Sequence, residues 1–275
     1  MSKRALLHRG APLVLVALLA VAILLPLDDV LRLESGDETV SARWSDALDG
    51  LPEESGILVA FDADLGTYAE IRPTVRVLLA DLLDRGGQLA FVSLTPEGRA
   101  LAVAELGRLA RADVNPRRLA DFGFLPGAEA ALVQLTREFP EPIDDTAFGR
   151  GIAEGGFDRV DAILVVGGND LGPRSWVEQV APRVDDVPIL AVAPTVLLPE
   201  LIPYTATGQL EALVATPRDG AAYRASVDLE NGQRLVPDEG PSVAALVVGI
   251  LAAVLLLAQS LAGPLLRPRG AESAR

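Results

Sequence analysis

The feature that most limits how this chain can fold is the alternation of short apolar runs with amphipathic helical segments. Between residues 56 and 236, runs such as ILVAF (57–61) and AILVV (162–166) contain no polar residue. Strands that are apolar at every position are typical of sheets buried on both faces, and alternation with helices produces parallel β–α–β units. The sequence therefore predicts one α/β domain of the Rossmann-like or flavodoxin-like doubly wound class, with a mostly parallel sheet of five or six strands.

The boundaries of the predicted elements follow from the apolar runs, the helical spacing of apolar residues and the positions of glycine and proline. Strands are predicted over residues 57–61, 88–94, 121–125, 162–166 and 188–192, with a weaker sixth strand over 212–216. Helices are predicted over residues 73–84, 96–110, 128–138 and 176–184, with a short helix around 42–48. Pro73 is placed in the first helical turn, where proline is tolerated, and the Pro- and Asp-rich stretch before the fourth strand is predicted to be a loop.

Two apolar segments without a charged residue lie near the ends of the chain. They cover residues 11–27 and 241–266 and contain LVLVALLAVAILL and VAALVVGILAAVLLLAQSLAG. A transmembrane helix needs about 20 apolar residues to cross the hydrocarbon layer of a bilayer. Both segments are therefore predicted to be transmembrane helices, the first as an uncleaved anchor. A signal peptide cleaved after Ala22 is the alternative interpretation of the first segment.

Basic residues flank the two apolar segments and predict their orientation. Three precede the first segment and three follow the second, namely Lys3, Arg4, Arg9, Arg267, Arg269 and Arg275. Short basic flanks remain in the cytoplasm, so residues 1–10 and 267–275 are predicted to be cytoplasmic tails. The middle of the chain is then extracytoplasmic, with a juxtamembrane linker over residues 28–55 and the α/β domain over 56–236. The Arg- and Ala-rich composition favours a bacterial plasma membrane.

Outside the tails the chain is strongly acidic. The tails carry six of the 24 Lys and Arg residues and one of the 38 Asp and Glu residues, which leaves 18 basic and 37 acidic residues between them. Such a surface repels nucleic acid and anionic headgroups. We therefore expect no nucleic-acid partner. The predicted partners are the membrane, through the two spans, and other membrane proteins.

Two kinds of catalytic chemistry are excluded by composition. The chain has no cysteine, and its single histidine, His8, lies in the N-terminal tail. A Ser-His-Asp triad and a zinc site built from His or Cys ligands are therefore excluded from the central domain.

Polar and glycine residues cluster directly after the predicted strands. They are Asp62, Asp64, Ser93, Thr95, Gly167, Gly168, Asn169 and Asp170, with Thr195 after the fifth strand. In parallel α/β sheets, ligands bind in the crevice beyond the carboxyl ends of the strands, at the point where the strand order reverses. We therefore predict that these residues share one edge of the sheet and form a ligand-binding rim.

Each part of this rim also has a purely structural interpretation. Asp62 and Asp64 can accept backbone N–H bonds in turns, and Thr67 and Glu70 have the spacing of a capping box. The stretch from Gly167 to Asp170 fits either a loop that cradles a phosphate or a tight strand-to-helix turn that requires a positive φ. The sequence alone leaves both interpretations open.

Three short motifs resemble those of the haloacid dehalogenase-like phosphohydrolase superfamily. They are FDADLGT, FVSLT and VVGGNDLG, and they occur in the same order as in that superfamily. The resemblance implies that Asp62 is the nucleophile, that Asp64 is the general acid/base and that Ser93 or Thr95 holds the phosphoryl oxygens. It also implies a magnesium ion as cofactor, bound by Asp62, Asp64 and Asp170. The superfamily places a lysine, or occasionally an arginine, between its second and third motifs. No lysine follows Lys3, so only Arg111, Arg117 or Arg118 could take this place.

The sequence favours a non-enzymatic function, because the chain has two predicted membrane anchors, no histidine or cysteine between them and no complete set of catalytic residues. The first hypothesis is a two-span bacterial membrane protein whose acidic extracytoplasmic domain acts as a binding or assembly module. A magnesium-dependent phosphohydrolase using Asp62 and Asp64 is the alternative that the resemblance implies. An extracytoplasmic sensor of a small ligand, bound at the rim, is the third hypothesis.

Overall fold

Six parallel strands form the centre of the domain. The computed structural model describes residues 38–227, 229 and 235–236. The strands are β1 (Gly56–Asp62), β2 (Gln88–Ser93), β3 (Leu119–Phe124), β4 (Ala162–Gly167), β5 (Ile189–Val192) and β6 (Ala212–Val214). They lie side by side in the order β3-β2-β1-β4-β5-β6, and each neighbouring pair is parallel. The predicted α/β fold with a mostly parallel sheet is confirmed.

Helices cover both faces of this sheet. They are α1 (Glu38–Asp49), α2 (Leu65–Asp84), α3 (Pro96–Arg111), α4 (Glu129–Leu135), α5 (Ala147–Gly155), α6 (Pro173–Gln179), α7 (Leu198–Ala206) and α8 (Pro217–Ser226). Single 3-10 turns occur at Pro116–Arg118, Gly156–Arg159, Ala181–Arg183 and Thr195–Leu197. The apolar residues of the strands point alternately to one side and the other, so the sheet separates two cores.

One core lies between the sheet and helices α1, α2, α3 and α8, and the other between the sheet and α4 to α7. Val59 and Phe61 of β1 contribute to the first core, whereas Leu58 and Ala60 contribute to the second. All seven residues of β1 are buried, as expected for a central strand covered on both faces. Because β1 and β4 are neighbours at the centre of the sheet, the reversal of strand order falls between them.

The short helix predicted around residues 42–48 is confirmed, and it packs against the domain. Residues 38–49 form α1, and the side chain of Trp44 in this helix is fully buried. Its ring lies 5.9 Å from that of Tyr223 in α8, whose hydroxyl donates a hydrogen bond to Asp81 in α2. Trp44 is therefore a packing residue, and the compact part of the domain includes residues that precede β1.

Several helix boundaries differ from the prediction. Helix α2 begins at Leu65, eight residues before the predicted start, and Pro73 lies inside it. The helix continues through the proline because Tyr68 and Ile71, which precede it, are buried in the same core as the residues that follow it. Helix α5 lies in the stretch predicted as a loop, where Gly149 and Gly151 obscure the helical pattern.

The predicted membrane segments lie outside the described residues, as do both tails and residues 28–37. Within the part of the chain that the structure describes, no helix is both long and apolar enough to cross a bilayer. The two spans therefore remain predictions from the sequence.

Candidate functional site

The structure brings the sequence-predicted rim residues to one edge of the sheet. Asp62 ends β1, Ser93 ends β2 and Gly167 ends β4, and these three strands are adjacent and parallel. The remaining rim residues lie in the loops that immediately follow: Asp64, Thr95, Gly168, Asn169 and Asp170. The point at which the strand order reverses lies within this set, between Asp62 and Gly167, which are paired across β1 and β4.

The carboxylate of Asp62 is sealed inside the protein at this point. The residue has no exposed surface, and its Oδ1 accepts a hydrogen bond of 2.6 Å from the backbone N–H of Leu94. Its Oδ2 accepts a bond of 3.3 Å from the indole Nε1 of Trp176. Burial raises the pKa of Asp62 to about 7, although the N–H groups of Leu94, Trp176 and Thr95 each lower it. Both carboxylate oxygens are engaged by groups of the protein itself.

Trp176 completes the surroundings of Asp62. It lies in α6, is fully buried and belongs to the core on the α4–α7 side of the sheet. The hydrogen bond from Trp176 to Asp62 could not be predicted from the sequence. The two residues are 114 positions apart, and such a pair leaves no local sequence pattern. A buried tryptophan usually places its N–H near an acceptor, and this is the general signal that could have indicated a polar partner.

Asp64 caps the N-terminus of α2. Its two carboxylate oxygens accept hydrogen bonds of 2.8 Å from the backbone N–H and the hydroxyl of Thr67. The Thr67 N–H holds the pKa of Asp64 below its usual value. The predicted capping box of Thr67 and Glu70 is therefore wrong, since the helix begins at Leu65 and Asp64 is its capping residue.

A second carboxylate occupies the same helix terminus. Glu97, in the first turn of α3, accepts a hydrogen bond of 3.2 Å from the backbone N–H of Leu65. Helix N-termini bind phosphate because their first N–H groups lack partners within the helix. In α2 the N–H groups of Leu65 and Thr67 already have carboxylate partners.

Ser93 and Thr95 serve the β2–α3 connection. The hydroxyl of Thr95 caps α3 by accepting a bond of 3.0 Å from the N–H of Gly98. Ser93 is fully buried, and its hydroxyl has no hydrogen-bond partner among the described residues. Ser93 follows Leu89 and Phe91 on one face of the sheet, whereas Asp62 lies on the opposite face, so the two side chains do not converge.

The loop after β4 is held against β1 by Asn169. The Asn169 amide donates a 2.7 Å bond to the carbonyl of Asp62, and its Oδ1 accepts from the N–H of Leu171. The predicted positive φ is wrong: neither Gly167 nor Gly168 lies in the left-handed region. Glycine is needed for space instead, because a Cβ on Gly168 would lie 2.2 Å from the Thr67 hydroxyl oxygen.

The carboxylates that the resemblance assigns to magnesium do not assemble a metal centre. Asp62 is enclosed, Asp64 is bound to Thr67, and Asp170 is exposed in the loop after β4. Across residues 38–227, no group of three or more Asp, Glu, His or Cys side chains could hold a metal ion. The arrangement therefore does not match the carboxylate cluster that metal-assisted phosphoryl transfer requires.

A further link closes the rim between α2 and the loop after β5. The carboxylate Oε1 of Glu70 accepts hydrogen bonds from the backbone N–H of Thr195, at 2.9 Å, and from its hydroxyl, at 2.6 Å. The connections after β1, β2, β4 and β5 are thus joined to one another through polar contacts. The acceptors in these contacts are the carboxylates of Glu97 and Glu70 and the backbone carbonyl of Asp62.

Comparison with known proteins gives no match, either to a protein-family model or to a curated protein. The geometry of the rim itself therefore indicates which chemistry it can perform. That geometry consists of a buried carboxylate, two carboxylates on one helix terminus and a serine hydroxyl on the other face of the sheet.

Replacing Trp176 with phenylalanine is expected to raise the pKa of Asp62 further, because the indole N–H is one of the groups that lower it. The free energy of unfolding is measured against pH for Trp176→Phe and for the double variant Trp176→Phe/Asp62→Asn. The pH at which the two curves diverge is the pH at which Asp62 titrates in the Trp176→Phe protein. We expect this pH to be higher than the titration pH obtained by comparing the wild type with Asp62→Asn. An unchanged or lower titration pH would contradict the contact.

Proposed function

We propose that this protein is a non-enzymatic binding or assembly module: an acidic α/β domain that two terminal spans hold at a bacterial plasma membrane, where it contacts other membrane proteins. The domain is extracytoplasmic in this proposal, as the basic flanks of the spans predict. The large excess of acidic residues between the tails supports a soluble domain that does not bind nucleic acid.

One observation carries the proposal: the N-terminus of α2, which adjoins the crevice where this fold class places cofactors, already binds two carboxylates of the chain. The N–H groups of Leu65 and Thr67 at the start of α2 are bound to Glu97 and Asp64. A phosphate or nucleotide placed there would have to displace two carboxylates and would meet their negative charge. The rim therefore favours contact with a protein surface over capture of an anionic cofactor.

The buried state of Asp62 supports the same conclusion. A nucleophile must reach its substrate, but both oxygens of this carboxylate are directed at donors inside the protein. A carboxylate that links β1 to the β2–α3 connection and to α6 is better suited to holding these elements together.

Purification of the full chain from its native membranes in a gentle detergent, after mild crosslinking, tests the proposal. We expect a second polypeptide to be recovered at a constant ratio to the chain. Recovery of the chain alone, across detergents and crosslinker lengths, would contradict an assembly function.

The same preparation tests the competing hypotheses. Thermal unfolding of the full chain in the presence of Mg²⁺, nucleoside triphosphates, dinucleotides or phosphomonoesters is expected to leave Tm unchanged. Stabilisation that grows with the concentration of one of these compounds would indicate a bound ligand and favour the sensor hypothesis. Turnover of a phosphomonoester that Asp62→Asn abolishes would favour the phosphohydrolase.

A further inference from the structure

Exposed apolar side chains recur along the carboxyl edge of the sheet. Phe124 at the end of β3 is 40% exposed, Leu65 after β1 is 65% exposed and Val196 after β5 is 73% exposed. They account for three of the six large apolar side chains that are exposed among the described residues. Single exposed apolar residues are ordinary on protein surfaces, so their common position at one edge is the informative observation.

Exposed carboxylates lie between these apolar residues. Glu97 follows β2 and Asp170 follows β4, and both are exposed. Because the strand order is β3-β2-β1-β4-β5, the edge presents Phe124, Glu97, Leu65, Asp170 and Val196 in turn. Neighbouring strands are about 4.8 Å apart, so this series extends over roughly 20 Å.

Hydrogen bonds and close contacts hold the edge in one arrangement. Glu97 binds the N–H of Leu65, and Glu70 binds the residue before Val196 through two hydrogen bonds. Gly168 lies directly against Thr67, since a Cβ at this glycine would be 2.2 Å from the threonine oxygen. A surface whose loops are already fixed loses little conformational entropy when a partner binds.

We infer that this edge is a docking surface for a segment of another protein that carries Lys or Arg beside apolar side chains. This inference rests on the proposed function and adds the surface and the chemistry of the partner. Basic side chains complement Glu97 and Asp170, and apolar ones cover Leu65 and Val196. A symmetric edge-to-edge pairing with a second copy of this chain is disfavoured, because it would place Glu97 of each copy against Asp170 of the other.

Photo-crosslinking in cells that produce the full chain tests the docking surface. A photoreactive phenylalanine analogue is introduced in place of Leu65 or Val196, and as a matched control in place of Val103. Val103 is 48% exposed halfway along α3, away from the edge. We expect crosslinks from positions 65 and 196, but not from 103, to one segment of another protein, with Lys or Arg and apolar residues around the crosslinked site.

Charge dependence provides the second readout. The double variant Glu97→Gln/Asp170→Asn keeps the shape of the edge and removes two charges, so we expect the crosslink yield to fall about threefold or more. Asp185→Asn/Asp186→Asn removes the same charge from the exposed loop before β5, at the other edge of the sheet, and is expected to leave the yield unchanged.

Each contrary outcome identifies what fails. Crosslinks to a second copy of the chain, or to a segment without basic residues, would overturn the inference. So would equal yields from the two charge variants. If a partner co-purifies with the chain but crosslinks only from position 103, the docking surface is wrong and the assembly function stands. If no partner co-purifies, the proposed function itself fails.

Discussion

Replacing Asp62 with asparagine is expected to remove a pH-dependent loss of stability between pH 5 and pH 8. The pKa of Asp62 is raised from 3.8 to about 7 by burial, so the folded protein binds this proton more tightly than the unfolded chain. The stability contributed by this group is complete below pH 3.8 and is lost as the pH rises through about 7. Relative to the variant, the free energy of unfolding of the wild-type protein should fall by about 3 kcal/mol from pH 5 to pH 8.

Urea unfolding followed by tryptophan fluorescence measures this effect. The chain has two tryptophans, and both Trp44 and Trp176 are buried in the domain, so the signal reports on the domain alone. Asp64→Asn is the matched control. The pKa of Asp64 is lowered by folding, so its contribution is lost only as the pH falls towards and below 3.8 and stays constant between pH 5 and pH 8. If the free energy of unfolding changed with pH in the same way for the wild type and Asp62→Asn, the raised pKa of a buried Asp62 would be contradicted.

Replacing Gly98 with alanine is expected to destabilise the domain by about 3 kcal/mol, because the start of α3 lies directly against β1. A Cβ at this position would lie 2.0 Å from the carbonyl oxygen of Phe61 and 2.7 Å from the hydroxyl oxygen of Thr95. The carbonyl belongs to a central strand and cannot move aside, so α3 must shift away from the sheet. That shift would expose Leu101 and Ala102, which are buried in the core beneath α3.

Gly151→Ala is the control for this substitution. Gly151 lies inside α5, and a Cβ there would meet no atom within 4 Å. Alanine is the better helix former, so this variant should be more stable than the wild type by roughly 0.5–1 kcal/mol. Similar effects of the two substitutions in urea unfolding would contradict the close approach of α3 to β1.

The parallel sheet could be predicted from the sequence because each strand is marked by a short apolar run of its own. Runs such as those in β1 and β4 are apolar throughout, and this property requires cover on both faces. The position of Asp62, Ser93 and Gly167 at one edge then follows from parallel pairing. The weaker helices were missed for local reasons too: α7 contains Pro199 and Pro203, which suppress the helical pattern.

The contacts that decide what the rim can do could not be predicted in the same way. Glu97 and Trp176 reach Leu65 and Asp62 across 32 and 114 residues, and no spacing in the sequence specifies such pairs. The motif that begins at Asp62 therefore resembles a catalytic one, while the structure directs Asp62 inward and uses Asp64 as a helix cap. The function of a motif with two carboxylates depends on the direction in which each side chain points.

We propose that carboxylates of the chain itself occupy the N-terminus of α2, where this fold class binds phosphate, and that the protein functions by binding another protein. Native mass spectrometry of the full chain, released from its own membranes in a gentle detergent, tests this claim most directly. We expect a complex whose mass equals the chain plus at least one other polypeptide, with no nucleotide or metal retained. A spectrum of the chain alone, carrying a small cofactor that Asp62→Asn or Asp64→Asn removes, would contradict it.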